Sequence, residues 1–196
     1  MSRAASGDVA TTVRQASIAG LIPMVDRVTA AVRARCAPLT PQQLAWRPAE
    51  ERWSAVLCLD HLMTTFATYD SRFDTLFAGT YRPGLLARVP GVPALFGRML
   101  IGSLAPGNNA EAPGVFRPDE ATTTDALLAR FEASQDRLID TMRRADAMRL
   151  HDAVITSPAS DWVVYSVLDA FRILTIHELA HLAQLEAVLD DPAFPR

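Results

Sequence analysis

One segment, residues 161–190, restricts the fold of this chain more than any other part of the sequence. Residues that share one face recur there in alternating steps of four and three, which is the spacing of a helix that packs along its length. They are Val163, Val167, Ala170, Leu174, His177, His181, Gln184 and Val188. Two histidines and a glutamine interrupt this otherwise apolar face. Because a buried imidazole without a partner is costly, the pattern predicts a helical bundle with a polar site inside it.

Two segments in the first half of the chain also have helical periodicity. The first covers residues 9–35 and contains Pro23, where we expect a kink or a restart because proline removes an interior hydrogen bond. The second covers residues 54–77 and has Ser54 as a suitable N-cap. A loop that contains several prolines, residues 38–52, separates these two predicted helices.

The third long helix is predicted over residues 121–145, with Thr122 and Asp125 as a capping pair. A connection rich in Pro and Gly, residues 82–118, precedes it and contains one short apolar helix at residues 93–104. So long a connection in a small domain often lines a site or a partner surface. A solvated crossover is an equally good interpretation of it.

The four long helices predict an all-α fold, specifically a four-helix bundle with long irregular connections. The second of these connections covers residues 149–160, and no segment of the chain has a convincing strand pattern. A length of 196 residues suits one domain with its own core. We therefore expect residues 1–196 to form a single domain, with residues 1–8 as a disordered tail.

The composition excludes several classes of function. A formal net charge of -3 gives no electrostatic case for binding nucleic acid. Every one of the 19 basic residues is arginine, so Schiff-base chemistry on a lysine is excluded. Neither a signal peptide nor a stretch long enough to span a membrane is evident, and we expect a cytoplasmic protein. Cys36 and Cys58 lie among apolar residues at helical spacing and are interpreted as small core residues.

The candidate site consists of His61, His177 and His181. A spacing of four residues places His177 and His181 on one face of a helix, within reach of one ion. His61 lies beside the apolar face of the second long helix, and a bundle can bring it against them. Three neutral imidazoles favour zinc, nickel, iron or copper, and three protein ligands leave a position open for water or substrate. The fourth histidine, His151, lies in a connection and is interpreted as a surface residue.

A second motif overlaps the same residues. The segment from His177 to His181 matches H-E-x-x-H, the zinc-protease pattern in which Glu178 would be a general base. Only fifteen residues follow His181, none of them histidine, and no strand is evident to bind an extended peptide. A protease is therefore the weaker hypothesis. Glu178 lies one position off the histidine face and is expected either to support the site or to pair with an arginine.

Short motifs in this chain resemble those of the DinB-like superfamily of bacterial metal-binding bundles. The resemblance covers residues 25–189, and its motifs lie at residues 39–40, 44–48, 53–54, 60–62 and 177–185. It implies a four-helix bundle with His61, His177 and His181 as metal ligands. It also implies that Trp53 packs at the start of the second long helix, and that Gln184 supports the site or the helix packing. The connection at residues 82–118 departs from the family pattern.

The resemblance also implies a range of activities, because the superfamily includes thiol S-transferases that use bacillithiol or mycothiol. The first hypothesis is therefore a metal-dependent thiol S-transferase with a small-molecule substrate, a low-molecular-weight thiol as co-substrate and zinc or nickel, with iron as a further option. The second is a metal-dependent hydrolase in which metal-bound water attacks and Glu178 is the base. The third is a non-catalytic stress-response protein in which the ion clips two helices together. The resemblance further implies a homodimer.

Overall fold

A computed structural model describes residues 3–107 and 112–196, and it confirms the predominantly helical architecture. Two short 3-10 turns, Leu85–Arg88 and Gly114–Phe116, lie in the long connection. The helices and strands of the described residues are α1 (Arg3–Gln15), α2 (Ile18–Cys36), α3 (Pro41–Ala45), α4 (Ala55–Phe77), α5 (Val92–Ser103), α6 (Leu127–Ala147), β1 (Val154–Ser157), β2 (Ser160–Ser166) and α7 (Val167–Leu189).

Four of these helices, α2, α4, α6 and α7, form the bundle. Helix α2 packs against α6 and α7, and α4 packs against the same two helices. α4 and α7 are therefore direct neighbours. Phe73 of α4 stacks on Phe171 of α7 with ring centroids 4.8 Å apart, and both rings are fully buried. The site depends on this contact, because each of the two helices carries candidate ligands.

The second long helix begins and ends as predicted. The hydroxyl of Ser54 accepts a hydrogen bond from the Leu57 amide at 3.3 Å, so Ser54 is the N-cap of α4. The helix then runs to Phe77.

None of the helices in the described residues combines the length and the apolar composition that a membrane span requires.

The first predicted helix is divided, but not at the expected position. The break lies before Ser17, whose hydroxyl accepts from the Gly20 amide at 3.2 Å and caps α2. Pro23 lies inside α2, which continues through it. Residues 3–8 belong to α1 and not to a tail, since Ala10 and Val13 are buried and anchor that helix. Residues 1–2 lie outside the described residues.

The predicted start of the third long helix is wrong. Helix α6 begins at Leu127, after Ala126 in the left-handed region with φ 50°, and it has no side-chain cap. Thr122 does not cap the helix, because its hydroxyl donates to the Asp60 carboxylate at 2.8 Å. A contact with α4 therefore replaces the local capping pair, and residues 119–122 are held against that helix.

The expectation that no segment of the chain forms a strand is also wrong. β1 and β2 form an antiparallel hairpin in which Ile155 pairs with Tyr165 and Thr156 with Val164. Residues 161–166 are consequently strand, and α7 begins at Val167 with Ser166 as its N-cap. The β-branched and aromatic side chains of this segment suit a half-buried ribbon, and Ile155, Val164 and Tyr165 are fully buried.

The long connection packs on the hairpin and on α7. The predicted short helix is present as α5, although it begins one residue earlier. The Gly84 amide donates to the Thr156 hydroxyl at 2.9 Å, which ties the connection to the hairpin. A Cβ atom at Gly97 would collide with the Asp169 side chain, so α5 approaches the beginning of α7 more closely than a larger residue would allow. The connection thereby forms one wall of a cavity.

Candidate metal centre

The structure brings the three predicted histidines together. His61 lies in the first half of α4, and His177 and His181 lie one turn apart in α7. Their candidate ligand nitrogens all lie within 4.8 Å of one another. The three ring centroids are 4.4 to 4.8 Å apart. The three imidazoles therefore converge as the sequence predicts, with His61 on α4 and the other two on α7.

A backbone carbonyl fixes the orientation of the His61 ring. Nδ1–H of His61 donates to the carbonyl oxygen of Phe116 at 2.5 Å, which leaves Nε2 of His61 without a proton in the neutral ring. That Nε2 atom lies 2.8 Å from Nε2 of His177. Ligand histidines in metalloproteins commonly hold the second nitrogen in this way. Sequence analysis could not identify the Phe116 carbonyl, because any residue supplies one.

Trp53 covers the cluster on one side. Its ring is stacked on His181 with centroids 5.7 Å apart and an interplanar angle of 19°. It also lies 4.8 Å from the His61 ring centroid. Trp53 therefore keeps water from one face of two imidazoles, in addition to packing at the start of α4 as the resemblance implies.

The three histidines are held in the neutral form. Burial lowers the pKa of His61, although the Phe116 carbonyl and the Asp60 carboxylate act in the opposite direction. Burial and the two neighbouring imidazoles lower the pKa of His177 well below its ordinary value. Burial and His61 lower the pKa of His181 to about 3, against the opposite effect of Gln184. Each ring consequently keeps a lone pair at neutral pH, as a metal ligand must.

The residues present fit a divalent transition metal. Nδ1 of His181 is buried and has no hydrogen-bond partner among the described residues, which an ion would compensate. Three neutral imidazoles are a donor set typical of zinc, nickel, iron or copper. No described cysteine, aspartate or glutamate joins the cluster. Burial raises the pKa of the Cys58 thiol to about 12, so this nearby cysteine stays protonated, as expected of a core residue.

Asp60 supports the cluster from behind, and the sequence analysis did not assign it this role. Its carboxylate accepts from the Asp119 amide and from the Thr122 hydroxyl, each at 2.8 Å. The neighbouring residue His61 holds Phe116 of the same segment. Two consecutive residues of α4 therefore bind one stretch of chain, residues 116–122, at three points. The signal that could have identified Asp60 in the sequence is an acidic residue directly before the candidate ligand His61.

Glu178 lies in a different environment from the histidines. It is buried, its Oε1 accepts from Nε2 of Gln135 at 3.0 Å, and it does not line the cavity described below. Burial raises the pKa of Glu178 to about 7, with Gln135 acting in the opposite direction. Its partner is thus Gln135 of α6, not an arginine, and its position gives no support to a general-base role. His151 pairs with Asp146 at 2.8 Å, away from the cluster.

The cluster opens into a cavity of about 990 Å³. Helices α4, α5 and α7, the hairpin and the end of the long connection contribute its walls. Its lining includes Glu51, Arg52, Trp53, His61, Thr65, Leu100, Leu104, Phe116, Ile173, Leu174, His177, His181, Glu186 and Asp190. A ligand of moderate size can therefore reach the three imidazoles from solvent.

A family model described as DinB superfamily matches residues 24–185, which is most of the chain. No curated protein and no solved structure matches it.

Proposed function

We propose that this chain, which belongs to the DinB superfamily, is a metal-dependent thiol S-transferase with His61, His177 and His181 as its metal ligands. One observation carries the proposal: three neutral imidazoles converge on the wall of a large open cavity, and no further described histidine, cysteine, aspartate or glutamate joins them. An open position of this kind distinguishes catalytic metal sites from structural ones. Zinc or nickel is the expected metal, with iron as a further option.

The chemistry follows from this environment. A divalent transition metal at the site would lower the pKa of a thiol and so supply a thiolate nucleophile. The thiol proton passes to solvent. A sulfur–carbon bond then forms at the electrophilic carbon of the second substrate, while the bond from that carbon to its leaving group breaks and the leaving group keeps the electron pair. The protein orients His61 through Phe116 and uses Trp53 to exclude water from one side.

Two alternatives have less support. A hydrolase of the H-E-x-x-H type needs Glu178 beside the nucleophilic water, whereas Glu178 contacts Gln135 and lies off the cavity. A structural clip between α4 and α7 needs no cavity at the ion, and structural sites are usually closed by a fourth ligand.

A homodimer, implied by the family resemblance, is a further proposal that light scattering would test.

The first experiment is metal analysis of protein purified without a histidine tag, followed by conjugation assays with the metal-loaded protein. We expect about one equivalent of metal, and turnover of a haloalkane with at least one low-molecular-weight thiol. His177→Ala should remove both metal and turnover. The matched control His151→Ala should keep both, because His151 pairs with Asp146 outside the cluster.

Failure of turnover with every thiol, in fully loaded protein, would reject the transferase. Loss of several kcal/mol of unfolding free energy on metal removal, together with absence of turnover, would favour the structural clip. Hydrolysis that Glu178→Gln abolishes while the metal is retained would favour the hydrolase.

A further inference from the structure

The cavity extends along α7 in both directions from the histidines. Its lining includes residues of α7 from Ile173 to the helix end, with Asp190 just beyond it. At 1.5 Å per residue this distance is roughly 25 Å, far longer than one metal-bound group requires. His177 and His181 lie between the two ends. The cavity therefore offers two separate binding regions on either side of the candidate metal centre.

The inner region is lined largely by apolar side chains, and the hydroxyls of Tyr69 and Ser103, which also line the cavity, are bonded to Tyr165 and to the Leu100 carbonyl. Ile173 and Leu174 of α7 face it, and Leu100 and Leu104 contribute from α5 and the residue that follows it. Phe116 closes this region beside His61, whose ring its carbonyl holds. None of these five side chains carries a charge or a hydrogen-bonding group. An apolar substituent gains about 0.8 kcal/mol for each methylene that it buries in such surroundings.

The outer region is charged and acidic. Glu51, Arg52, Glu186 and Asp190 line it. Arg52 lies 3.9 Å from the carboxylate of Asp191, and Arg35 lies 2.5 Å from that of Asp190. Two guanidinium groups thus face four carboxylates, and each guanidinium is already directed at one of them. The region keeps a negative balance, because the four carboxylates outnumber the two guanidinium groups.

An unpartnered polar atom on the inner side of the histidines supports occupation by a ligand. Thr65 follows His61 by one turn on α4 and lines the cavity, with 5% of its surface exposed. Its hydroxyl is buried and has no hydrogen-bond partner among the described residues. A buried polar group without a partner is uncommon, because it has given up its hydrogen bonds to water without replacing them.

We infer that the two regions divide the substrates by polarity, an inference that rests on the function proposed above. The outer region accepts the polar part of a neutral or cationic thiol and disfavours a polyanionic one. The inner region accepts an apolar electrophile, whose carbon then lies beside the histidines for attack by sulfur. The thiol loses its proton to solvent, and the leaving group departs with its electron pair.

The charge preference is tested with three thiols of similar size, namely 2-aminoethanethiol, 2-mercaptoethanol and 3-mercaptopropionate. Each is titrated into cobalt-loaded protein, and the visible absorption of the metal reports binding without turnover. Glu186→Gln should reduce the preference for the cationic over the anionic thiol about two- to fivefold at low salt, as removal of one partly exposed charge predicts. The intrinsic pKa of each thiol cancels, because the variant is compared with the wild type. The preference should also shrink at 1 M salt.

Glu132→Gln is the matched control. Glu132 pairs with Arg33 on α2 and does not line the cavity, so this variant should leave the preference unchanged. The inner region is tested with 1-bromoalkanes of two to six carbons. Each methylene should raise kcat/KM about fourfold, and Leu104→Ser should flatten this series while the cobalt spectrum stays the same.

The outcomes distinguish failure of the proposed transferase function from failure of the division by polarity. If no thiol alters the cobalt spectrum and no conjugate forms, the proposed transferase itself fails. If thiols bind and react, but Glu186→Gln and chain length have no effect, the function stands and the division by polarity is overturned. A preference for the anionic thiol that Glu186→Gln does not change would also overturn it.

Discussion

Replacement of Glu178 by glutamine should make the metal-free protein more stable than the wild type, by an amount that grows from pH 5 to about pH 7 and then levels off. Glu178 is buried, with 3% of its surface exposed. Oε1 accepts from Gln135, but Oε2 of Glu178 and Oε1 of Gln135 both lack a partner among the described residues. Either a proton on Oε2 or the amide of a glutamine would supply the missing donor. Glu178→Gln therefore mimics the protonated acid at every pH.

The magnitude follows from the pKa of Glu178, which burial raises from 4.5 to about 7. For an acid whose pKa is raised by folding, the contribution to stability is complete below the unfolded pKa and is lost as the pH rises through the folded one. At about 1.4 kcal/mol per pKa unit, the variant should gain about 2 kcal/mol over the wild type between pH 5 and pH 8. The histidines contribute with the opposite sign, but their contribution cancels in this difference.

Urea unfolding at pH 5, 6, 7 and 8, with a chelator present, measures the effect. Glu186→Gln, the same substitution at a half-buried position of the same helix, is the control and should show no comparable increase with pH. A difference between Glu178→Gln and the wild type that stays constant from pH 5 to pH 8 would show that the carboxyl ionises as readily as an exposed one. The reasoning from burial would then be refuted.

Three further predictions concern the site and its supports. Asp60→Asn should weaken metal binding about 10- to 100-fold in a chelator competition, because the charged acceptor that holds Asp119 and Thr122 is lost; an unchanged affinity would contradict this. The metal-free protein should lose stability as the pH falls below about 6.5, by up to about 1.4 kcal/mol per pH unit for His181, since its pKa is lowered to about 3 in the fold. Unfolding at pH 7 and pH 5 with and without His181→Gln measures this loss, which the variant should reduce. Ser54→Ala should cost about 1 kcal/mol of unfolding free energy through loss of the α4 cap, and a cost near zero would contradict the assignment.

The features that sequence analysis predicted correctly are those with a strong local or periodic signal. Ser54 followed by an apolar face gave the correct start of α4. The alternating steps of four and three gave α7 and placed His177 and His181 on one face. The meeting with His61 required only that α4 and α7 be neighbours, which a four-helix bundle often provides.

The errors arose where distant contacts decide the local structure. Val163 continues the four-three spacing of α7, yet it lies in β2, because the segment pairs with β1 and Tyr165 of the same strand is buried in the core. Thr122 has the chemistry of a helix cap, but Asp60 occupies its hydroxyl. Backbone acceptors such as the Phe116 carbonyl have no residue-specific signal at all.

The attachment of His61 to Phe116 has a consequence for how the ion is retained. The same stretch of chain encloses part of the cavity and fixes the nitrogen that the imidazole presents to the ion. Displacement of this wall and release of the ion are therefore thermodynamically linked. Substitutions that loosen residues 112–122 will shorten the residence time of the ion even where the four helices are unchanged. A bound ion, in return, will protect the amides of that stretch from hydrogen exchange.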